Sequence, residues 1–231
     1  MYIFTLILLL VFYGAVIAFG MKYMKRTRLW NTAFALSVFA LYMTVVITVY
    51  KSVGFYDWNF QNTLPVANVS PFMFTLTPIA LLLPKRIKEK LFLLISLLSA
   101  GMLLSAIFSC IYNAAIHYSF HLHFTCDYLA HVLLSLFGVY IVRSGQVRLT
   151  KKNAVISSSI IVGAAVLMLL LNVVFDKAFF GLSLNGKHNI YNVVLTDSSY
   201  LSAALYFIGL CGVLLMGYCY SKWLLKTSKK N

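Results

Sequence analysis

The sequence predicts an all-α fold: a polytopic transmembrane bundle of seven helices, with the N-terminus outside and the C-terminus in the cytoplasm. Three observations predict it. The 231 residues are 61% hydrophobic and only 10% charged, where a soluble domain carries about 25% charged residues. Too little polar surface remains to face water, so apolar surface must face lipid. Next, sixteen of the nineteen Lys and Arg residues fall in four clusters. These are Lys22/Lys25/Arg26/Arg28, Lys85/Arg86/Lys88/Lys90, Arg143/Arg148/Lys151/Lys152 and Lys222/Lys226/Lys229/Lys230. Finally, the clusters follow the first, third, fifth and seventh apolar stretches, which puts all four on one side, and positive charge marks the cytoplasmic side.

Each span follows from its own residues. Tyr2–Gly20 has no charge before Lys22, so it lacks the basic start of a signal peptide and reads as a retained helix entering from outside. Thr32–Tyr50 lies between Trp30 and Lys51, an interfacial anchor and a loop charge. Val66–Pro84 holds or adjoins all four prolines, Pro65, Pro71, Pro78 and Pro84; Pro71 and Pro78 are expected to kink or break it. Leu91–Ile111 carries Gly101, Ser105 and Ser109 every four residues, and Ala154–Phe175 carries Ser159 and Gly163, spacings that let helices approach closely in lipid. Phe124–Val142 is the one span with an internal acid, and Leu201–Trp223 ends in the last basic cluster. All seven are long enough to cross a hydrocarbon core of about 30 Å as helices.

The whole chain reads as one integral membrane domain, most simply in the plasma membrane, with no soluble domain. Asp57, Asp176 and Asp197 fall in outer loops and Glu89 inside. The longest loop, residues 176 to 200, contains Phe179, Phe180, Leu182, Leu184 and Ile190. That is too apolar for a free loop, so it is expected to lie on the membrane surface or fold back over the bundle.

A net charge of +14 suggests nucleic acid until its distribution is considered. The charges flank membrane spans, where they meet anionic headgroups. Membrane lipids are therefore the expected partners, without nucleic acid or nucleotide; protein partners cannot be read. The segment Gly181-Leu-Ser-Leu-Asn-Gly186-Lys187-His188 has the spacing of a phosphate-binding loop, but His188 replaces the Ser/Thr and no strand precedes it. No metal site or cofactor is expected. His121 and His123 lack a third defined ligand, and Cys110, Cys126, Cys211 and Cys219 have no zinc or disulfide spacing.

The candidate site gathers in the outer half. Asp127 is the only acid inside a span, and His131 follows at i+4 on the same helical face. Ionisable groups at membrane depth are expensive and usually face the interior or water. A carboxylate that orients an imidazole makes a general base, a proton relay or a cation site. His188, among Asn185, Asn189 and Asn192, is a third catalytic candidate. Asn68 and Ser70 at the head of the proline-rich span, and Asn113 at the end of the fourth, are candidate substrate-binding residues. If they converge, they form a pocket open to the outside or to the outer leaflet.

The segment Leu64-Pro65-Val66-Ala67-Asn68-Val69-Ser70, followed by an apolar span ending in Pro84-Lys85-Arg86, resembles the YwaF-type bacterial integral membrane proteins. The fifth span, with Asp127 and His131, is similar in character. The wider group includes phospholipid acyltransferases that use a membrane Cys–His pair, so the resemblance implies lipid chemistry. Where that pattern has a Cys shortly after Leu-Pro, this chain has Ala67, Asn68 and Val69. A thioester mechanism at that position is thereby excluded.

Three readings stay open, and whether the chain is an enzyme is not decided. One is a lipid-handling enzyme, acyltransferase- or hydrolase-like, with His131 as base. Another is a small transporter or channel with an Asp/His proton or cation relay. The last is a non-catalytic partner subunit or lipid binder. Receptor analogies fail at the residues: the only Lys of the seventh span is Lys222, at its cytoplasmic edge, and the third span ends in Pro84-Lys85-Arg86.

Overall fold

The computed structural model describes residues 2–25, 27–54, 61, 63–65, 68–116, 122–175, 179–182 and 199–228. Among them are seven α-helices, two short 3-10 turns and no strand. The helices are α1 (Tyr2–Ala18), α2 (Thr27–Val53), α3 (Val69–Leu82), α4 (Lys85–Ile116), α5 (Leu122–Arg143), α6 (Lys151–Phe175) and α7 (Ser199–Ser228). They correspond one to one with the seven apolar stretches of the sequence. Five of them, α2 and α4 to α7, have the length and apolar character to cross a membrane. α1 with 17 residues and α3 with 14 are shorter, about 25 and 21 Å at 1.5 Å per residue.

Local chemistry sets the helix ends. Pro71 does not break α3; it occupies the first turn, where its missing N–H is not needed. Pro78 lies inside α3, which continues through it to Leu82. Leu83 is then extended, as a residue before proline prefers. The Pro84 carbonyl accepts from Ile87 and Lys88 N–H at 3.0 Å each and opens α4. At the end of α5, Gly145 takes φ +70°. Its N–H reaches the Val142 carbonyl, and Gln146 N–H reaches that of Ile141, both at 3.1 Å. These are the paired bonds that close a helix through a left-handed glycine. Thr150 then caps α6, its hydroxyl accepting from Asn153 N–H at 3.1 Å.

α5 is the central helix and the most buried of the long ones. It packs chiefly on α4 and, on its other side, on α2. α4 is the second hub, touching α7, α6, α1 and α3 as well. An aromatic layer joins the hubs: Phe137 of α5 stacks on Phe34 of α2 and meets Phe92 of α4 edge-on, both at 5.5 Å. Close backbone approach needs glycine at two of these contacts. A Cβ on Gly217 of α7 would lie 1.7 Å from the Leu97 carbonyl of α4, and one on Gly138 of α5 would lie 2.7 Å from Ser99.

Gly101 also packs as its spacing suggests, facing Val213 of α7. The small-residue pair on α6 does not. Ser159 is exposed, and nothing lies within 4 Å of a Cβ on Gly163. α6 instead rests on its neighbours through Ala154, Ser157, Ile161 and Ala165. This helix has two small-residue stripes, and only the neighbours decide which is covered. Its other faces expose Val155, Val166, Leu167 and Leu170, as a lipid-facing helix should.

The described members of the four basic clusters lie towards one end of the bundle. Arg143 donates to the Ile17 carbonyl at 3.0 Å, and Tyr140 donates to that of Met24 at 3.3 Å. Asn31 and Gln146 exchange amide hydrogen bonds of 2.5 and 3.1 Å. Ser221 of α7 donates to the Ser96 carbonyl of α4 at 3.4 Å. At the opposite end, the described part of the long loop folds back. Asn172 donates to the carbonyls of Phe179 and Leu182 and accepts from Phe179 N–H. Phe180 is held at φ 57° and is fully buried, edge-on to Phe72 of α3 at 5.6 Å.

Candidate functional site

Asp127 and His131 lie in the first half of α5, at the end away from the basic clusters. The 3.6-residue repeat puts them one turn apart on one face. Their environments differ sharply: the Asp127 side chain is 34% exposed and that of His131 only 6%. His131 Nδ1 lies 2.8 Å from the Asp127 carbonyl and 3.5 Å from its carboxylate Oδ1. A carbonyl oxygen only accepts, so Nδ1 carries the hydrogen, and in the neutral ring Nε2 carries the lone pair.

The ring is fixed on its other side by Phe74 of α3, edge-on at 4.9 Å and 87°. Phe74 is itself buried. Pro78 has no N–H, so the Phe74 carbonyl lacks its usual helical donor. Neighbouring threonines return to the same stretch of backbone: Thr75 donates to the Pro71 carbonyl at 3.0 Å, and Thr77 to that of Met73 at 2.6 Å. The proline helix therefore supplies a rigid aromatic wall for His131.

One turn further along α5, the spacing of Asp127 and His131 continues to Ser135, which is fully buried. Its hydroxyl lies 3.0 Å from the Tyr13 hydroxyl of α1, which lies 3.2 Å from the Tyr220 hydroxyl of α7. Five polar side chains thus succeed one another along the length of the bundle, three of them on the central helix. Ser135, Tyr13 and Tyr220 are not among the sequence candidates. Ser135 was findable, because it extends the i, i+4 series of Asp127 and His131. The two tyrosines come from helices far away in sequence.

The remaining candidates stand apart. Asn68 is extended at the head of α3, and its side chain makes no capping bond. The Ser70 hydroxyl faces Met102 Sδ of α4 at 3.8 Å. No hydrogen bond joins either residue to Asp127 or His131 among the described residues. Asn113 lies near the end of α4, with its side chain outside the description. His188 lies outside the described residues, as do His117 and His121. His123 packs on Phe124 at 4.1 Å.

Among the described residues no group of three or more His, Cys, Asp or Glu side chains is placed to hold a metal. No disulfide joins the four cysteines among the described residues; Cys110 and Cys126 are buried. No protein-family model, no curated protein and no solved structure matches this chain.

Proposed function

We propose that this integral membrane protein handles protons, in the manner of a small transporter or channel, with Asp127 and His131 as its proton-carrying pair. One observation carries the reading. Polar groups succeed one another along the depth of the bundle, from the partly exposed Asp127 through the buried His131, Ser135 and Tyr13 to the half-buried Tyr220, rather than converging on one cavity. Chains of acids, histidines and hydroxyls through apolar helices are the arrangement that proton relays use.

The resting tautomer sets a direction. Nε2 accepts a proton arriving from the Ser135 side. The Nδ1 proton then passes to the Asp127 carboxylate, which is exposed enough to release it. Transfer the other way starts from the opposite tautomer. His131 and Ser135 are one helical turn apart, a distance that a bridging water covers. By the charge rule, the Asp127 end faces outward.

A second reading, a lipid-handling enzyme, is favoured by the same anchoring. Fixing Nδ1 leaves Nε2 free to act as a general base on a lipid ester, and the YwaF-type resemblance points the same way. The two readings separate experimentally. Purified protein goes into vesicles with a trapped pH dye, and a potassium diffusion potential drives protons. The relay reading expects flux above protein-free vesicles, with Asp127→Asn and His131→Gln returning it to background. Wild-type flux equal to empty vesicles sinks the relay. Release of lysolipid or fatty acid by wild type but not by His131→Gln, followed by mass spectrometry, would then install the enzyme reading.

A further inference from the structure

A separate cavity opens at the basic end, far from Asp127. It has a volume of about 220 Å³ and lies between the first turns of α4 and the start of α6. Arg86, Lys90 and Arg148 line it, opposed by the single carboxylate of Glu89. Glu89 is already engaged by Lys85, 4.0 Å away and outside the lining. Three cations against one carboxylate leave the cavity two charges positive at neutral pH. The N-terminal turns of two helices add to this, since their partial charges also favour an anion.

An independent feature sits on the cavity wall. Ser157 of α6 is fully buried, lines the cavity, and its hydroxyl has no hydrogen-bond partner. Other serines of the bundle turn back onto their own helix: Ser96 to the Phe92 carbonyl, Ser144 to Tyr140 and Ser159 to Ile156. Ser157 does not. A buried hydroxyl left unpaired is a cost that proteins rarely carry without reason. Next to it, Asn153 holds the connecting loop by donating to the Arg148 carbonyl at 3.0 Å, which keeps Arg148 at the cavity.

We propose that this cavity is a binding site for a phosphate group, held by Arg86, Lys90 and Arg148 with the Ser157 hydroxyl donating to one of its oxygens. Two guanidinium groups match the tetrahedral, multiply accepting oxygens of phosphate better than the two of a carboxylate. The site lies at the end where the basic clusters meet headgroups, and basic pockets between membrane helices bind anionic lipid heads. The phosphate comes either from an anionic phospholipid or from a soluble phosphorylated molecule. The site does not depend on the proton-relay reading.

The test uses the full chain in nanodiscs holding equal amounts of phosphatidylglycerol and phosphatidylcholine. Native mass spectrometry then reads which lipid stays bound. Inorganic phosphate is titrated in parallel and followed by phosphorus NMR line broadening. Wild type should retain the anionic lipid, or bind phosphate, in preference to controls. Arg148→Gln should weaken that binding roughly tenfold, and Ser157→Ala roughly threefold to tenfold. Lys226→Gln removes the same charge from the same end but away from the cavity, and should leave binding unchanged. Ser157→Ala removes only a hydroxyl, so its melting temperature should match wild type and keep the result readable.

Lipid retention that phosphate does not displace identifies a headgroup site; displacement by phosphate identifies a soluble ligand. Equal retention of both lipids with no phosphate broadening overturns the proposal. So does an Arg148→Gln effect that Lys226→Gln reproduces, because general surface charge then explains it.

Discussion

At the residue scale, the bundle separates side chains that hold structure from side chains that have chemistry to offer. Asn172 belongs to the first kind. Its amide makes three hydrogen bonds to the turn at Phe179 to Leu182, and Phe180 and Leu182 are buried there. Asn172→Ala leaves those backbone groups unpaired and should cost about 2–3 kcal/mol, read as a lower melting temperature in detergent. Asp127 and His131 belong to the second. Their exposures differ although one turn separates them: the buried imidazole is anchored by the Asp127 backbone carbonyl, with the partly exposed carboxylate 3.5 Å away. Ser135→Ala and Tyr13→Phe should each slow proton flux while leaving the protein folded, because only a hydroxyl is removed. Flux unchanged in both variants would show that the hydroxyl series is structural, whatever Asp127 does. The spacing of 127, 131 and 135 is visible in the sequence. The partner tyrosines are not, because Tyr13 and Tyr220 lie 122 and 85 residues from Ser135.

At the element scale, α4 is the helix that others approach most closely. Gly217 meets its backbone at Leu97, and a side chain there must push a carbonyl rather than a flexible chain end. Gly217→Ala should therefore destabilise by about 1–3 kcal/mol, the usual range for overpacking. Gly163→Ala on α6 meets open space and should stabilise by up to about 1 kcal/mol through helix propensity. Comparing the two melting temperatures checks the packing directly; equal effects would contradict it. The prolines of α3 teach a related lesson. Their clustering pointed to a broken helix, yet Pro71 falls where a helix tolerates proline and Pro78 is accommodated within a short continuous one. What survives of that expectation is the Phe74 carbonyl left without a donor by Pro78, on the residue through which α3 touches His131.

At the scale of the whole molecule, the described members of the four basic clusters share one end, where Arg143, Tyr140 and the Asn31–Gln146 pair tie helices together. The orientation we propose from the charge rule has that end in the cytoplasm. In a background without native cysteines, Lys152→Cys should resist an impermeant thiol reagent in intact cells, and Gly186→Cys should react. The reverse pattern would invert the molecule. Such an inversion would move the phosphate cavity to the outer surface and the Asp127 carboxylate to the inner one. The orientation test therefore bears on both proposals at once.

By itself, the sequence determined the class of fold, the number and order of its helices and the gathering of positive charge at one end. Lipid imposes these properties locally: each span must be apolar for about twenty residues, and Lys and Arg collect in the connections on one side. It also determined the Asp127–His131 pair, since i, i+4 neighbours meet in any helix. Tertiary structure alone decided which stripe of α6 is covered, that Ser135 meets Tyr13 and Tyr13 meets Tyr220, and that Arg148 and Ser157 enclose a cavity with Arg86 and Lys90. These contacts depend on how each helix is rotated about its axis. A helix that is apolar nearly all round contains little in its sequence to specify that rotation. It is set by glycine contacts and hydrogen bonds to helices distant in the chain.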